Sequence, residues 1–303
     1  MFFNRKKENR LSIHTVFIAK ENILFLKEWL LYHQTIGFEK FYLYDNSTVK
    51  YGDDNESEKS NIKFFKAGKI SKYGIDYENL IKLDNEEINS LLHDIINDFD
   101  GDVELIKWSP KNQEGVTVYG HVKSLYDFKK KFSSKNDWVA FIDIDEFIIS
   151  PSGLKLQEFL NECDENKIRL VRIFQKKFQC RYSNLDKNVI DIYDCIENID
   201  TTFGHGRGSW GEKLIVKMNY LKDIDNIHKM KIKRGKEIDM DINELRFNHY
   251  NVNDKLIVWM KEWFGKKDFQ YSLDDSIKLN RPKIDYNQNH CSLEWRNSLI
   301  NDR

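Results

Sequence analysis

The order of elements legible in the chain predicts a doubly wound α/β fold with a mostly parallel, Rossmann-like central sheet and a C-terminal helical extension. Two observations carry that expectation. Strand-like and helix-like runs alternate from residue 12 to residue 150, and the run "WVAFIDIDEFIIS" at 138–150 opens apolar on both faces, as a central strand of a parallel sheet does. The same run holds three carboxylates, Asp143, Asp145 and Glu146, which a buried strand has no structural reason to carry.

"HTVFIAK" (14–20) reads as the first strand. "ENILFLKEWLLYHQTIG" reads as a helix, with Ile23, Leu26, Leu30 and Leu31 near helical spacing and Gly37 where a C-terminal cap belongs. "KFYLYDNS" (40–47) is a second strand ending in turn formers, and the polar stretch Tyr51 to Ser60 reads as a loop. "NEEINSLLHDIINDF" is a helix with acidic residues in its first turn, "VELIKW" a strand, "TVYGHVKSLYDFKKKF" a helix, and "DWVAFIDIDEFII" the longest strand. After "RLVRIF" (169–174) the next clear pattern is "DKLIVWMKEWFG" (254–265), an amphipathic helix with Leu256, Trp259, Met260 and Trp263 on one face. The expected organisation is one main domain at 1–250 with a helical extension, 251–303, packed on it.

Composition excludes several classes. In 303 residues, 48 Lys and Arg nearly balance 49 Asp and Glu, so charge alone makes no case for nucleic acid or an anionic membrane as the main partner. The four cysteines form no C-x-x-C pair, which suits reduced thiols rather than a zinc or disulfide framework. With no signal-peptide core and no run of about 18 apolar residues, the expectation is a cytoplasmic or cytosol-facing chain without a transmembrane segment.

The carboxylates are the main chemical signal. On a continuous strand Asp143 and Asp145 share a face, roughly 6 to 7 Å apart, and repel by roughly 2.5 kcal/mol at an effective dielectric of about 20. A divalent cation offsets that repulsion, and hard oxygen ligands suit Mn²⁺ or Mg²⁺. Glu146 points to the opposite face and reads as a structural carboxylate. The bland alternative is a solvated strand exit capping the next helix. A second signal is "TTFGHGRGSWGEKL" (201–214), a glycine-rich stretch that is not a P-loop. It reads as a surface loop that can close over substrates, with Trp210 stacking on a sugar ring and Arg207 or Lys213 near phosphate, or as an inert loop.

Four blocks in matching order resemble the family 92 glycosyltransferases and the related family-2-like group with the GT-A fold: "FIAKENILFLKEWLLYHQTIGFEKFYLYDNST", "QEGVTVYGHVKSLYDF" with "DWVAFIDIDEFI", "EKLIVKMNYLKDIDNIH", and "RFNHYNV". The resemblance implies metal-dependent transfer of a sugar from a nucleotide-diphosphate sugar, with UDP as the expected carrier, to a glycan or other hydroxyl acceptor, with inversion. It implies that Asp143 approaches the donor ribose or a metal-bound water and that Asp145 ligates Mn²⁺ or Mg²⁺, with His249 as candidate third ligand. Ala19, Lys20, Glu21, Asp45 and Asn46 fall where such enzymes hold base and ribose, although Asp45 can equally cap its turn and Glu21 can equally complement a helix dipole. His121 either touches the donor or packs, and His33, on the helical face of Trp29 and Leu30, is expected to be a packing histidine. Direct displacement needs a general base. Glu212 is the first candidate because of its place beside Trp210, with Asp191, Asp194 and His205 as alternatives. Two rivals remain: a metal-dependent nucleotidyltransferase or phosphatase using the same aspartates, and a catalytically silent carbohydrate-binding protein.

Overall fold

The computed structural model describes residues 9–48, 75–113, 115, 117–135, 137–197, 211–254, 256–258, 270–280 and 290–301. Strand β1 (Leu11–Phe17) is buried along its whole length and is followed by α1 (Ala19–Asn22) and α2 (Leu26–Thr35), where the periodicity predicts a single helix. Next come β2 (Lys40–Asp45), α3 (Tyr77–Leu80), α4 (Asn85–Asn97), β3 (Asp102–Lys107), α5 (His121–Phe132) and β4 (Trp138–Phe141). The start of α4 is set by a capping box: Asp84 accepts from the amides of Glu86 and Glu87, and Glu87 reaches back to the Asp84 amide. β1 lies between β2 and β4, parallel to both, and β2 is parallel to β3. This half has the predicted alternating order.

Beyond β4 the sheet becomes mixed. The elements are β5 (Glu146–Ile149), α6 (Leu156–Glu165), β6 (Ile168–Gln179), β7 (Asp194–Glu197), β8 (Glu212–Lys217), β9 (Leu221–Asn226), β10 (Lys229–Ile232), β11 (Lys236–Asp239), β12 (Arg246–Val252), β13 (Gln270–Leu273) and α7 (Leu293–Ser298). Among the described residues eleven of the thirteen strands, β1–β4 included, form one sheet, and β9 pairs with β10 in a separate hairpin. β4 is antiparallel to β8 and β8 to β6, while β6 is parallel to β12, which is antiparallel to β5. Since β4 runs into β5 through residues 142–145, the hydrogen-bonded path β4-β8-β6-β12-β5 closes on itself at that turn.

The run 137–149 is therefore not one strand, and the expectation that Asp143 and Asp145 share a face of one continuous strand is corrected. Nothing in "FIDIDEF" signals a break. It is imposed from outside, because β5 pairs with β12 and takes two α2 side chains onto its carbonyls: Trp29 Nε1 donates to Glu146 O and Tyr32 Oη to Ile148 O, each at 2.9 Å.

Both faces of the sheet are covered. One face packs Leu26, Trp29 and Leu30 of α2, Ile88, Leu92 and Ile95 of α4, and Leu160 of α6. The other packs Leu125 and Phe128 of α5 and the β9-β10 hairpin against Val16, Tyr42 and Val139. Of the helix expected at 254–265, only Asp254 and residues 256–258 belong to the described residues, and they are helical; the rest, with the expected loop at 51–60, lies outside them. The C-terminal segment also adds β13 antiparallel to β7. No described helix is long and apolar enough to cross a membrane.

α7 is anchored by one side chain. Arg296 is fully buried, pairs with Glu28 Oε2 at 3.4 Å, donates to the carbonyls of Leu24 and Lys187, and lies 4.5 Å from the Phe25 ring centroid. Removing only one partner strands the other charge in the core. Arg296→Met is expected to cost about 3 to 5 kcal/mol of unfolding free energy in urea titrations. The double variant with Glu28→Gln should recover part of it.

Candidate functional site

The turn between β4 and β5 is held at nearly every peptide. The Asp143 amide donates to Glu146 Oε2 at 2.9 Å, and the Glu146 amide donates to Asp143 O at 3.1 Å. The Tyr250 amide donates to Asp145 O at 3.0 Å, and Arg181 Nη1 to Ile144 O at 2.9 Å. The side chains of Asp143, Asp145 and Glu146 are thereby collected where the ring of strands closes. Glu146 is 1 % exposed.

Lys213, from β8, supplies the compensating charge. Its buried Nζ lies 2.6 Å from Asp143 Oδ2 and 3.0 Å from Glu146 Oε2. Burial alone pushes every member of this group toward its neutral form, and the contacts decide the outcome. Burial raises the Asp143 carboxyl, but Lys213 and His121 outweigh it and hold Asp143 ionised well below the usual range. Burial of Glu146, joined by repulsion from Asp143 and Asp145, outweighs Lys213 and raises its pKa. For Lys213 the two carboxylates overcome burial and keep the ammonium charged.

His249, from β12, faces the turn from the other side, in register with Glu146. Its Nε2 is 3.3 Å from Asp145 Oδ2 and its Nδ1 is 3.7 Å from Glu146 Oε1. Gln175 Oε1 stands 3.0 Å from Nδ1 and Asn251 Nδ2 2.7 Å from Nε2. An amide oxygen at Nδ1 and an amide nitrogen at Nε2 assign the proton to Nδ1 and the lone pair to Nε2. Burial, which outweighs the attraction of Asp145, brings the ring down to about 4, so it is neutral at pH 7. Nε2 thus accepts from the Asn251 amide and stands 3.3 Å from Asp145 Oδ2, so a cation held by both groups would replace the Asn251 contact. Gln175 fixing the far nitrogen is the support that metal-binding imidazoles ordinarily have. Asp145 and His249 supply one carboxylate and one imidazole, a donor pair whose chemistry is compatible with Mn²⁺. Among the described residues no group of three or more His, Cys, Asp or Glu side chains is placed to hold a metal ion.

A family model, glycosyltransferase family 92, matches residues 84–294, well over half of the chain and all of this cluster. The chain belongs to glycosyltransferase family 92. Two curated relatives are glycosyltransferase family 92 proteins from Oryza sativa subsp. japonica and Ricinus communis. The first is 24% identical over 156 residues, covering 52% of this chain and 19% of the relative. The second is 24% identical over 135 residues, covering 44% and 16%. The chain thus spans less than a fifth of the length of either relative.

Within this family 92 chain the expected site residues fall into three groups. Asp143, Asp145, Lys213 and His249 meet at the turn. Glu146 does too, which corrects the expectation that it is separated from the aspartates. His121 opens α5 behind Gly120, whose φ of +62° and the 2.2 Å approach of Pro110 Cγ to a hypothetical Cβ require glycine. It is near enough to lower Asp143 electrostatically.

The second group lines the ends of β1 and β2. The Ala19 amide donates to Ser47 Oγ at 2.9 Å, and Lys20 and Glu21 follow on α1. Asp45 Oδ1 accepts from the Ser47 amide at 3.0 Å and from the Ser47 hydroxyl, so it closes the turn after β2. Asn46 is buried and donates to the carbonyls of Val118 and Tyr119, tying β2 to the approach to α5.

The third group lies elsewhere. Glu212 and Lys213 sit on the buried strand β8, not on a surface loop, which is a second correction. Side chains alternate along a strand, and with Lys213 on the turn, Glu212 faces Arg172, whose Nε is 3.8 Å away. The candidacy of Glu212 as a base rests on its place beside Trp210, which lies outside the described residues. Asp191 accepts from the Tyr193 hydroxyl at 3.0 Å, close enough to Glu28 to repel it. Asp194 begins β7. Arg207, Trp210 and His205 lie outside the described residues.

Sequence reasoning missed Gln175, Asn251, Arg181 and His14. Asn251 was detectable, because two positions after His249 on a strand is the same face. His14 lies under the sheet among Tyr44, Phe128 and Phe141, with no hydrogen-bond partner for Nε2 among the described residues. His33 has both ring nitrogens engaged, with Trp29 O at 2.9 Å and the Ile148 amide at 3.3 Å.

Burial lowers His14 and His33 to about 3 and, helped by Lys213, His228 to about 4. In the unfolded chain they titrate near 6.5, so below that pH the unfolded state binds protons the folded state refuses. Their contribution is complete above about pH 6.5 and is lost as the pH falls toward 4, by about 1.4 kcal/mol per pH unit for each histidine. Denaturant melts from pH 7 to 4.5 should show this fall, and His33→Gln should reduce the slope by about one proton.

Proposed function

We propose that this chain is a divalent-cation-dependent glycosyltransferase that moves a sugar from a nucleotide diphosphate, with UDP the favoured carrier, to a hydroxyl acceptor. The observation that carries the reading is the placement of Asp145 Oδ2 3.3 Å from His249 Nε2, beside Asp143 and Glu146, which share the single ammonium of Lys213. Family membership supports the activity, and the position beyond the carboxyl ends of β1, β2 and β4 is where open α/β sheets take their ligands.

Asp145 and His249 would hold the Mn²⁺ or Mg²⁺ ion, its remaining positions left to water and donor phosphate. When bound, that ion supplies Lewis-acid charge to the departing diphosphate. Lys213 keeps Asp143 ionised and oriented, so Asp143 is available to a ribose hydroxyl or to metal-bound water. Ala19, Lys20, Glu21, Asp45 and Asn46 form the edge that meets base and ribose, with His121 toward the donor. In an inverting displacement the acceptor oxygen bonds to the anomeric carbon as the carbon–oxygen bond to diphosphate breaks, and the acceptor proton passes to a base.

The decisive assay is a panel of nucleotide sugars with Mn²⁺ or with chelator, scoring release of nucleoside diphosphate. Asp145→Asn should lower kcat/KM by about 10²-fold or more, and chelator should abolish release in the wild type. Turnover surviving both treatments contradicts the metal role, and release of pyrophosphate or free phosphate would move the chain to another reaction class.

A further inference from the structure

One side chain joins the two halves of the proposed site. Arg181, in the 3-10 turn Arg181–Ser183 that follows β6, is 4% exposed. Its Nη1 donates at 2.9 Å to the carbonyl of Ile144, the residue between the two aspartates. Its Nη2 donates to Oδ1 of Asn22, the last residue of α1, and Asn22 Nδ2 in turn holds the carbonyl of Ile18 at 2.9 Å. The guanidinium lies 4.8 Å from the Phe25 ring centroid and 5.7 Å from that of Tyr182, whose hydroxyl donates to Glu21 O. One planar fork therefore spans the carboxylate turn and the segment Ala19–Glu21.

We propose that Arg181 is a positioning residue: it fixes the Ile144 peptide, and through it the carboxylate of Asp145, against α1, so that cation and donor are held in one relation. The inference rests on the functional reading above. A guanidinium suits this task because its donors diverge at fixed angles in one plane. A lysine ammonium donates from one nitrogen and does not reproduce two bonds that leave Arg181 from separate nitrogens, and without either cation the Ile144 carbonyl is buried without its partner. The neighbouring ties from Tyr250 to Asp145 O and from Trp29 to Glu146 O leave Ile144 O dependent on Arg181. Nothing about the charge of Arg181 is needed at the reacting atoms, since its effect passes through the turn.

The test uses Arg181→Met, Arg181→Lys and Asn22→Ala. Mn²⁺ affinity is measured by electron paramagnetic resonance without nucleotide, and the Mn²⁺ activation constant and donor KM from nucleoside diphosphate release. Both Arg181 variants should raise the Mn²⁺ Kd and activation constant by about tenfold or more, while donor KM at saturating Mn²⁺ moves less than about threefold. Asn22→Ala, which leaves the bond to Ile144 without its second anchor, should move them in the same direction by less. A purely structural role for Arg181 would lower the folded fraction and leave Mn²⁺ affinity of the folded protein unchanged, so wild-type Mn²⁺ Kd in folded Arg181→Lys or Asn22→Ala overturns the proposal. If Arg181→Met does not fold, those two variants decide it. A wild-type protein that neither binds Mn²⁺ nor releases nucleoside diphosphate overturns the functional reading itself, a result seen before any variant is made.

Discussion

The contact of the buried Lys213 ammonium with Asp143 and Glu146 is the constraint on which the rest of the site depends. Three carboxylates within four residues of one turn, Glu146 buried and Asp143 and Asp145 partly so, repel one another strongly unless a cation is built in. Lys213 sets one positive charge against Asp143 and Glu146, the second of which burial drives toward its neutral form, and Asp145 faces the His249 imidazole. The arrangement divides the labour. Lys213 is the permanent cation, and in the proposed reading the position beside Asp145 and His249 takes a second, exchangeable one.

That division follows from the sheet. A strand that continued from β4 through Glu146 would spread its acidic side chains over two faces. Instead β5 leaves β4's neighbours to pair with β12, and the turn so formed receives Lys213 from β8 on one side and His249 from β12 on the other. β6, between β8 and β12, contributes Gln175 to His249. Each functional side chain thus stands on a strand whose neighbours hold its backbone, the condition under which a site keeps its geometry before substrate arrives.

The first half of the fold was legible because each element is announced locally: a strand-like run closed by turn formers in "KFYLYDNS", and acidic residues in the first turn of α4. The carboxylates were legible as a site for the same reason, being out of place in an apolar run. What was not legible is set by tertiary contact. "FIDIDEF" contains neither glycine nor proline, and its break is enforced by Trp29, Arg181 and Tyr250. Lys213 and Glu212 read as loop because charged residues after a glycine-rich stretch ordinarily are. They belong to a buried strand because Asp143 and Arg172 lie opposite them. Gln175 and Arg181 carry no spacing signal, since their partners are far away in sequence.

The central claim, that Lys213 reserves Asp143 and Glu146 while Asp145 and His249 take the exchangeable cation, is tested most directly by anomalous diffraction at the manganese edge. The crystals would be grown with Mn²⁺ and UDP. The account predicts a peak at coordination distance from Asp145 Oδ2 and His249 Nε2, with Lys213 still between Asp143 and Glu146. A peak on Asp143 and Glu146 with Lys213 displaced, or no peak within the cluster, would contradict it.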